Sequence, residues 1–108
     1  MREHKLWKLT MAGAVVGMLS LASPARAQNA ESTYKAKCVG CHAADGTGSA
    51  IGKKLGAHDF HSAEVKGMSD ADLTAAIAKG KNKMPGYEKT LKADDIKGLV
   101  AYVRSLGK

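Results

Sequence analysis

Cys38-Val39-Gly40-Cys41-His42 places two thiols and an imidazole within five residues. Thiols can add to vinyl groups and an imidazole nitrogen can bind iron, so these residues suit the covalent attachment of a haem. On a helical turn, positions three and four apart share a face. Cys38, Cys41 and His42 can therefore approach one planar ligand from the same side, while Val39 and Gly40 turn away. Two thioether links and one iron bond would hold a porphyrin in a single orientation, which no lone Cys or His could do.

Other chemistry is open to the same residues. A redox Cys-x-x-Cys normally sits in a βαβ setting, and no β-branched run precedes Cys38. A structural zinc site would add His58 and His61 as Cys-x2-Cys-x16-His-x2-His. Its gap is longer and its His pair tighter than the usual finger pattern. A plain disulfide would use the only two cysteines. The adjoining His42 favours haem over all three.

A haem iron needs a second axial partner, and Met84 is the leading candidate. In Lys83-Met84-Pro85-Gly86-Tyr87 the proline pushes Met84 into an extended conformation and Gly86 permits a turn, so Met84 is carried on a loop. A thioether is a soft ligand that, opposite His, favours reduced iron and raises the reduction potential. Met68 is the rival thioether, but its place just before a helix cap explains it as a hydrophobic staple on Leu73. His58 and His61 lie in a polar loop and are expected to be solvated, with Phe60 between them buried against the haem or the helices.

These residues need helices to position them. A first helix is expected from about Ala30 into the haem motif, with Ala30, Tyr34 and Cys38 on one face and Lys35 and Lys37 facing away. Asp45-Gly46-Thr47-Gly48-Ser49, followed by Gly52 and Gly56, reads as a tight loop with no regular element. A second helix starts at Ser69, which forms a capping-box-like pair with Asp72; Lys79 lies in its last turn and Gly80 stops it. Leu73, Ala76 and Ile77 make its inner stripe. A last helix is expected over 93–106, with Ile96, Leu99, Val100, Val103 and Leu106 at helical spacing, acids at its start and Arg104 at its end. Gly98 inside it costs about 1 kcal/mol against Ala, which suits a close helix crossing.

The first 27 residues read as a cleavable secretory signal. Arg2, Lys5 and Lys8 precede the uncharged, mostly apolar run Leu9 to Ala22, and Ala25-Arg26-Ala27 fits the small-x-small cleavage rule. Those fourteen residues fall short of the ~20 needed to span a bilayer. Residues 28–108 then form one domain of 81 residues, whose aromatics are Tyr34, Phe60, Tyr87 and Tyr102. A chain this small buries only about 60% of the surface its unfolded form exposes, so a haem would complete its core. With thirteen Lys or Arg against nine Asp or Glu it carries a formal +4. That is mildly basic, and no nucleic-acid motif is present.

A Cys-x-x-Cys-His near the expected mature N-terminus, a Met-Pro loop some forty residues on and a closing amphipathic helix together resemble the class I c-type cytochromes of the small bacterial monohaem kind. The likeness spans Ala30 to Lys108. It implies an all-α, cytochrome c-like fold of three to four short helices around one covalently bound haem c, with the first and last helices crossing at Ala30 and Tyr34 against Leu99 and Tyr102. It implies Cys38 and Cys41 as thioether sites, His42 as proximal ligand and Met84 as distal ligand. Two positions depart from the family. Its Gly-Pro-x-Leu segment, whose Pro carbonyl accepts from the ligand His, appears here as Gly52-Lys53-Lys54-Leu55, so the acceptor for His42 is open. Lys92 stands where a Ser or Thr usually caps the final helix, so that start is expected to fray.

The function so implied is that of a soluble, periplasmic or otherwise exported electron carrier of a respiratory or photosynthetic chain. It would be a monomer with no catalytic residue, without stable membrane insertion once the signal is cleaved. Lys35, Lys37, Lys53, Lys54, Lys79, Lys81 and Lys83 flank the haem-binding segments and offer a basic collar to redox proteins with acidic docking surfaces. The alternative is a haem enzyme or ligand sensor whose sixth ligand is displaceable.

Overall fold

The structure, a computed structural model, describes residues 24–108. The expected signal segment lies outside the described residues as far as residue 23. The expected cleavage point after Ala27 falls within the first helix, α1 (Pro24–Lys37), which therefore begins earlier than the sequence suggests. Five more helices follow: α2 (Val39–His42), α3 (Ala50–Lys54), α4 (Ala63–Gly67), α5 (Asp70–Lys79) and α6 (Ala93–Leu106). The architecture is all-α as expected. The number of helices rises to six among the described residues because three segments of four or five residues join the long ones.

The long helices form as their sequences dictate. In α5, Ser69 Oγ accepts from Asp72 N–H at 3.0 Å and Asp72 Oδ2 accepts from Ser69 N–H at 3.3 Å, the reciprocal arrangement that satisfies two free helix-end donors. Leu73 and Ile77 turn inward, and Gly80 ends the helix at φ +79°. The apolar stripe of α6 buries Ile96, Leu99, Val100 and Val103. Its start is firmer than expected, because Asp95 Oδ2 accepts from Lys92 N–H at 3.1 Å and so replaces half of the missing cap.

Helices α1 and α6 make the most extensive helix pairing. Tyr34, 1% exposed, packs its ring 5.0 Å from that of Tyr102, and Ala30 and Leu99 are buried beside this crossing. Burying a side chain such as Leu99 contributes roughly 1.5–3 kcal/mol. Arg104, expected only as a charge at the helix end, ties three elements together. Its guanidinium donates to the carbonyls of Val65 and Met68 and to Asp70 Oδ1, linking α6 to the end of α4 and the start of α5.

The segment between His42 and Phe60 is not an irregular loop throughout, which corrects the sequence reading. Ser49 Oγ accepts from Gly52 N–H at 3.0 Å and nucleates α3. Glycine at 52 is required sterically, since a Cβ there would lie 1.8 Å from the Cys41 carbonyl oxygen. In the same way Ser62 caps α4 by accepting from Val65 N–H at 3.2 Å.

Candidate functional site

The haem motif spans a helix break. Cys38 ends the run from α1, donating its N–H to Tyr34 O at 2.8 Å, and the residues after it close the single turn of α2. His42 N–H donates to Cys38 O at 2.9 Å, and Ser49 Oγ donates to Gly40 O at 2.7 Å, so α3 braces the motif from outside. The two thiols are half-buried and free, not joined in a disulfide.

The Met84 loop and this motif contribute separate parts of the same cleft lining. Lys81 and Met84 exchange backbone hydrogen bonds of 3.1 and 2.9 Å, and Asn82 takes the left-handed conformation at φ 55° that this tight turn requires. A Cβ on Gly80 would lie 2.5 Å from Met84 O, so glycine is needed for the loop to double back. Tyr87 N–H and Glu88 N–H then donate to the free carbonyls of Ile77 and Ala78 at 2.9 and 3.0 Å. Tyr87 OH also donates to Lys37 O at 3.4 Å, which joins this loop to the residue before Cys38. Met84 is thus carried on a loop as expected, but the turns fall at Asn82 and Lys83 and over 88–90, not at Gly86.

The cleft has a volume of about 290 Å³, with Cys38, Cys41, His42 and Met84 all on its lining. Apolar side chains complete it, among them Leu55, Phe60, Val65, Leu73 and Ile77. Leu55 contributes to this lining while remaining 44% exposed. Burial lowers the pKa of His42, which favours the neutral imidazole that binds a metal, and raises that of the Cys38 thiol. The imidazole stacks on Phe60, with centroids 4.9 Å apart and 29° between the planes.

Several sequence expectations change here. Met68 lines the same cleft, so its place next to the cap of α5 does not remove it from the site. His58 also lines the cleft, with Nδ1 3.4 Å from Glu64 Oε2, while His61 is turned to Asp59, its Nδ1 2.7 Å from Oδ1. Among the described residues no group of three or more His, Cys, Asp and Glu is disposed to hold a metal ion. Lys37, Lys81 and Lys83 border the cleft, whereas Lys35 is engaged with Glu31 at 2.8 Å. His42 Nδ1 is buried without a hydrogen-bond partner among the described residues, so Gly52 to Leu55 supplies no acceptor to it. Sequence reasoning did not reach Tyr87 as a clasp across the cleft; its position after a Pro-Gly pair was the available signal.

The residues fit a haem. Two free thiols, an imidazole and a thioether line one apolar cleft in a chain with few aromatics of its own. Comparison with known proteins agrees. Residues 25–103 match the family described as cytochrome c oxidase, cbb3-type, subunit III. Cytochrome c6 of Nostoc sp. (strain PCC 7120) is 32% identical over 108 residues, covering 96% of this chain and 93% of the relative. Cytochrome c6 of Pyropia yezoensis is 32% identical over 91 residues, covering 84% and 81%. Among solved structures, the KustC0563 c-type cytochrome aligns with a TM-score of 0.69 at 31% identity, over 73% of this chain and 98% of its own. With its motif, its helical fold and these relatives in agreement, the chain belongs to the c-type cytochromes, electron-carrying proteins built around a covalently bound haem c.

Proposed function

We propose that this chain is an exported carrier that passes one electron at a time between redox proteins, with its haem held by thioethers to Cys38 and Cys41 and the iron by His42 and Met84. The observation that carries this reading is the presence of all four side chains on the lining of one apolar cleft. When bound, the haem would supply a one-electron couple, whose potential a thioether ligand such as Met84 would raise. The protein's residues do the rest. Stacking on Phe60 orients His42, the bridged turn at Lys81 and Met84 brings the thioether to the cleft lining, and Val65, Leu73 and Ile77 keep water from the interior. If His42 and Met84 both held the iron, no position would be left open for a substrate, which would separate this carrier from a haem enzyme or ligand sensor.

Export follows from the leader motif, with cleavage after Ala27. The remaining part of α1 would keep Ala30 and Tyr34, the residues that α1 buries against α6. The partner would be a redox protein with an acidic docking face, met by Lys37, Lys81 and Lys83 at the cleft border. Reaction with such a partner slows as ionic strength rises; an unchanged rate would exclude electrostatic steering by these lysines.

The deciding experiment is optical spectroscopy of the purified holoprotein and of Met84→Ala. The wild type is expected to be low-spin in both redox states and inert to carbon monoxide and cyanide. Met84→Ala is expected to become high-spin, to have a lower potential and to bind both ligands. A wild type that binds them readily would favour the enzyme or sensor reading. An unaltered Met84→Ala spectrum would move the sixth ligand to Met68 or His58, the other donors on the cleft.

A further inference from the structure

The residue after His42 holds an uncommon backbone conformation. Ala43 lies at φ 65°, ψ 166°, a region that is essentially reserved for glycine. Such a conformation persists only where neighbouring contacts over-determine it, and three groups close on Ala43. Its N–H donates to Val39 O at 2.9 Å, and its carbonyl accepts a 2.6 Å hydrogen bond from Tyr34 OH. Gly46 N–H also reaches that carbonyl, at 3.3 Å.

Tyr34 is well placed to act as a fixed point. It is 1% exposed, its ring packs between those of Phe60 (6.4 Å, 61°) and Tyr102 (5.0 Å, 52°), and it lines the cleft. Phe60 in turn stacks on the His42 imidazole. One side chain therefore bears on His42 by two routes, through the backbone just after it and through the ring that lies on it. A phenylalanine at 34 would fill nearly the same space but leave the Ala43 carbonyl to the longer Gly46 contact alone. The hydroxyl thus acts on the turn and not only on the core.

We propose that Tyr34 is a positioning residue for His42. Its hydroxyl holds Ala43 in the strained turn, and the turn sets the direction in which the imidazole enters the cleft. This rests on the reading of His42 as an iron ligand. Groups that orient a ligand imidazole tune the metal it binds, so the effect belongs to the redox centre as well as to the fold.

The test is a cycle in the holoprotein with Tyr34→Phe, Ala43→Gly and the double variant, read by reduction potential, ferric electron paramagnetic resonance and denaturant unfolding. Glycine adopts the conformation at 43 without strain, so Ala43→Gly should leave the resonance spectrum close to wild type. Tyr34→Phe should shift both the potential and the g-values and raise the unfolding equilibrium constant about tenfold. In the Ala43→Gly background the same change should shift potential and g-values by less than half as much. Failure of Tyr34→Phe to accumulate, with rescue in the double variant, would show the same coupling. Unshifted g-values and potential in Tyr34→Phe, shifts of equal size in both backgrounds, or failure of both variants to accumulate would overturn the proposal. The ligand reading is tested apart from it, in wild-type protein with ¹⁵N-labelled histidine: absence of a histidine nitrogen coupling to the iron would overturn that reading, whatever the Tyr34 cycle gives.

Discussion

The imidazole of His42 lies stacked on the ring of Phe60, 4.9 Å between centroids, although eighteen positions separate them in the chain. The contact depends on closure of the intervening segment, in which Phe60 N–H donates to Gly46 O at 3.0 Å. Phe60 is 8% exposed and also meets Tyr34, so it joins the haem motif to the α1–α6 crossing. Phe60→Ala is expected to cost about 3–5 kcal/mol by denaturant unfolding of the holoprotein. Phe60→Leu keeps most of the volume but loses the aromatic pairing, and about 0.5–1.5 kcal/mol of its cost should reflect that loss. A Leu variant with wild-type stability and an unchanged reduction potential would deny the stack any part in holding His42.

Arg104 and Asp70 make a contact whose energy lies mostly outside the ion pair. The 3.0 Å pair is exposed on the acid's side, where the Asp70 side chain is 80% accessible, and such pairs contribute roughly 0–1 kcal/mol. The same guanidinium also serves the carbonyls of Val65 and Met68 in part-buried positions. Asp70→Asn should therefore cost less than about 1 kcal/mol. Arg104→Met, which keeps the stem but leaves both carbonyls without this donor, should cost about 1–3 kcal/mol. Unfolding curves measured at low and high salt separate the two, and a larger loss for Asp70→Asn would reverse the assignment.

What could be read from the sequence, and what could not, follows from the range of the signals. Helices α5 and α6 were legible to within a residue because Ser69, Asp72, Gly80 and the stripe from Ile96 to Val103 act within one element. The short helices α3 and α4 escaped because five residues carry no periodicity, although Ser49 and Ser62 were caps in plain view. The donors of the cleft were legible as residue types. Their supports were not: Tyr34 OH on Ala43, Tyr87 OH on Lys37 and Arg104 on Met68 all join segments that only the folded chain brings together. Met68 packs against the core cluster and also lines the cleft, since one side chain can pack beside a cap and still face a cavity.

Acid should loosen the segment that carries Phe60. The Asp59 carboxyl is held below its usual range by the His61 backbone N–H and then by the His61 ring; that of Asp45 is held below it by the Thr47 hydroxyl and backbone N–H. Both pKa values are lower in the folded state than in the unfolded one. Their stabilisation is therefore complete above the ordinary Asp value of about 4 and is lost as the pH falls through the depressed folded values. The double variant Asp45→Asn/Asp59→Asn should start less stable at neutral pH and decline less steeply on acidification. Thermal unfolding from neutral to acid pH checks this, and parallel curves for the two proteins would place the acid sensitivity elsewhere.

The strictest steric demand in the site is at Gly52, where a Cβ would stand 1.8 Å from the Cys41 carbonyl oxygen and 2.6 Å from its carbonyl carbon. Both are backbone atoms, so no rotamer change relieves the clash; α3 or the Cys41 turn must move. Since α3 braces the motif through Ser49 Oγ on Gly40 O, that movement would displace the thiol that Cys41 brings to the cleft. Gly40 provides the control, because it lies within the same motif and a Cβ there meets nothing within 4 Å. Gly40→Ala is expected to acquire covalent haem at the wild-type level, as measured by pyridine haemochrome on the purified chain. Gly52→Ala is expected to acquire it in much lower yield, with a loss of stability in whatever holoprotein forms. Equal haem content and equal stability in the two variants would mean that the packing of α3 on Cys41 has no part in presenting the thiols.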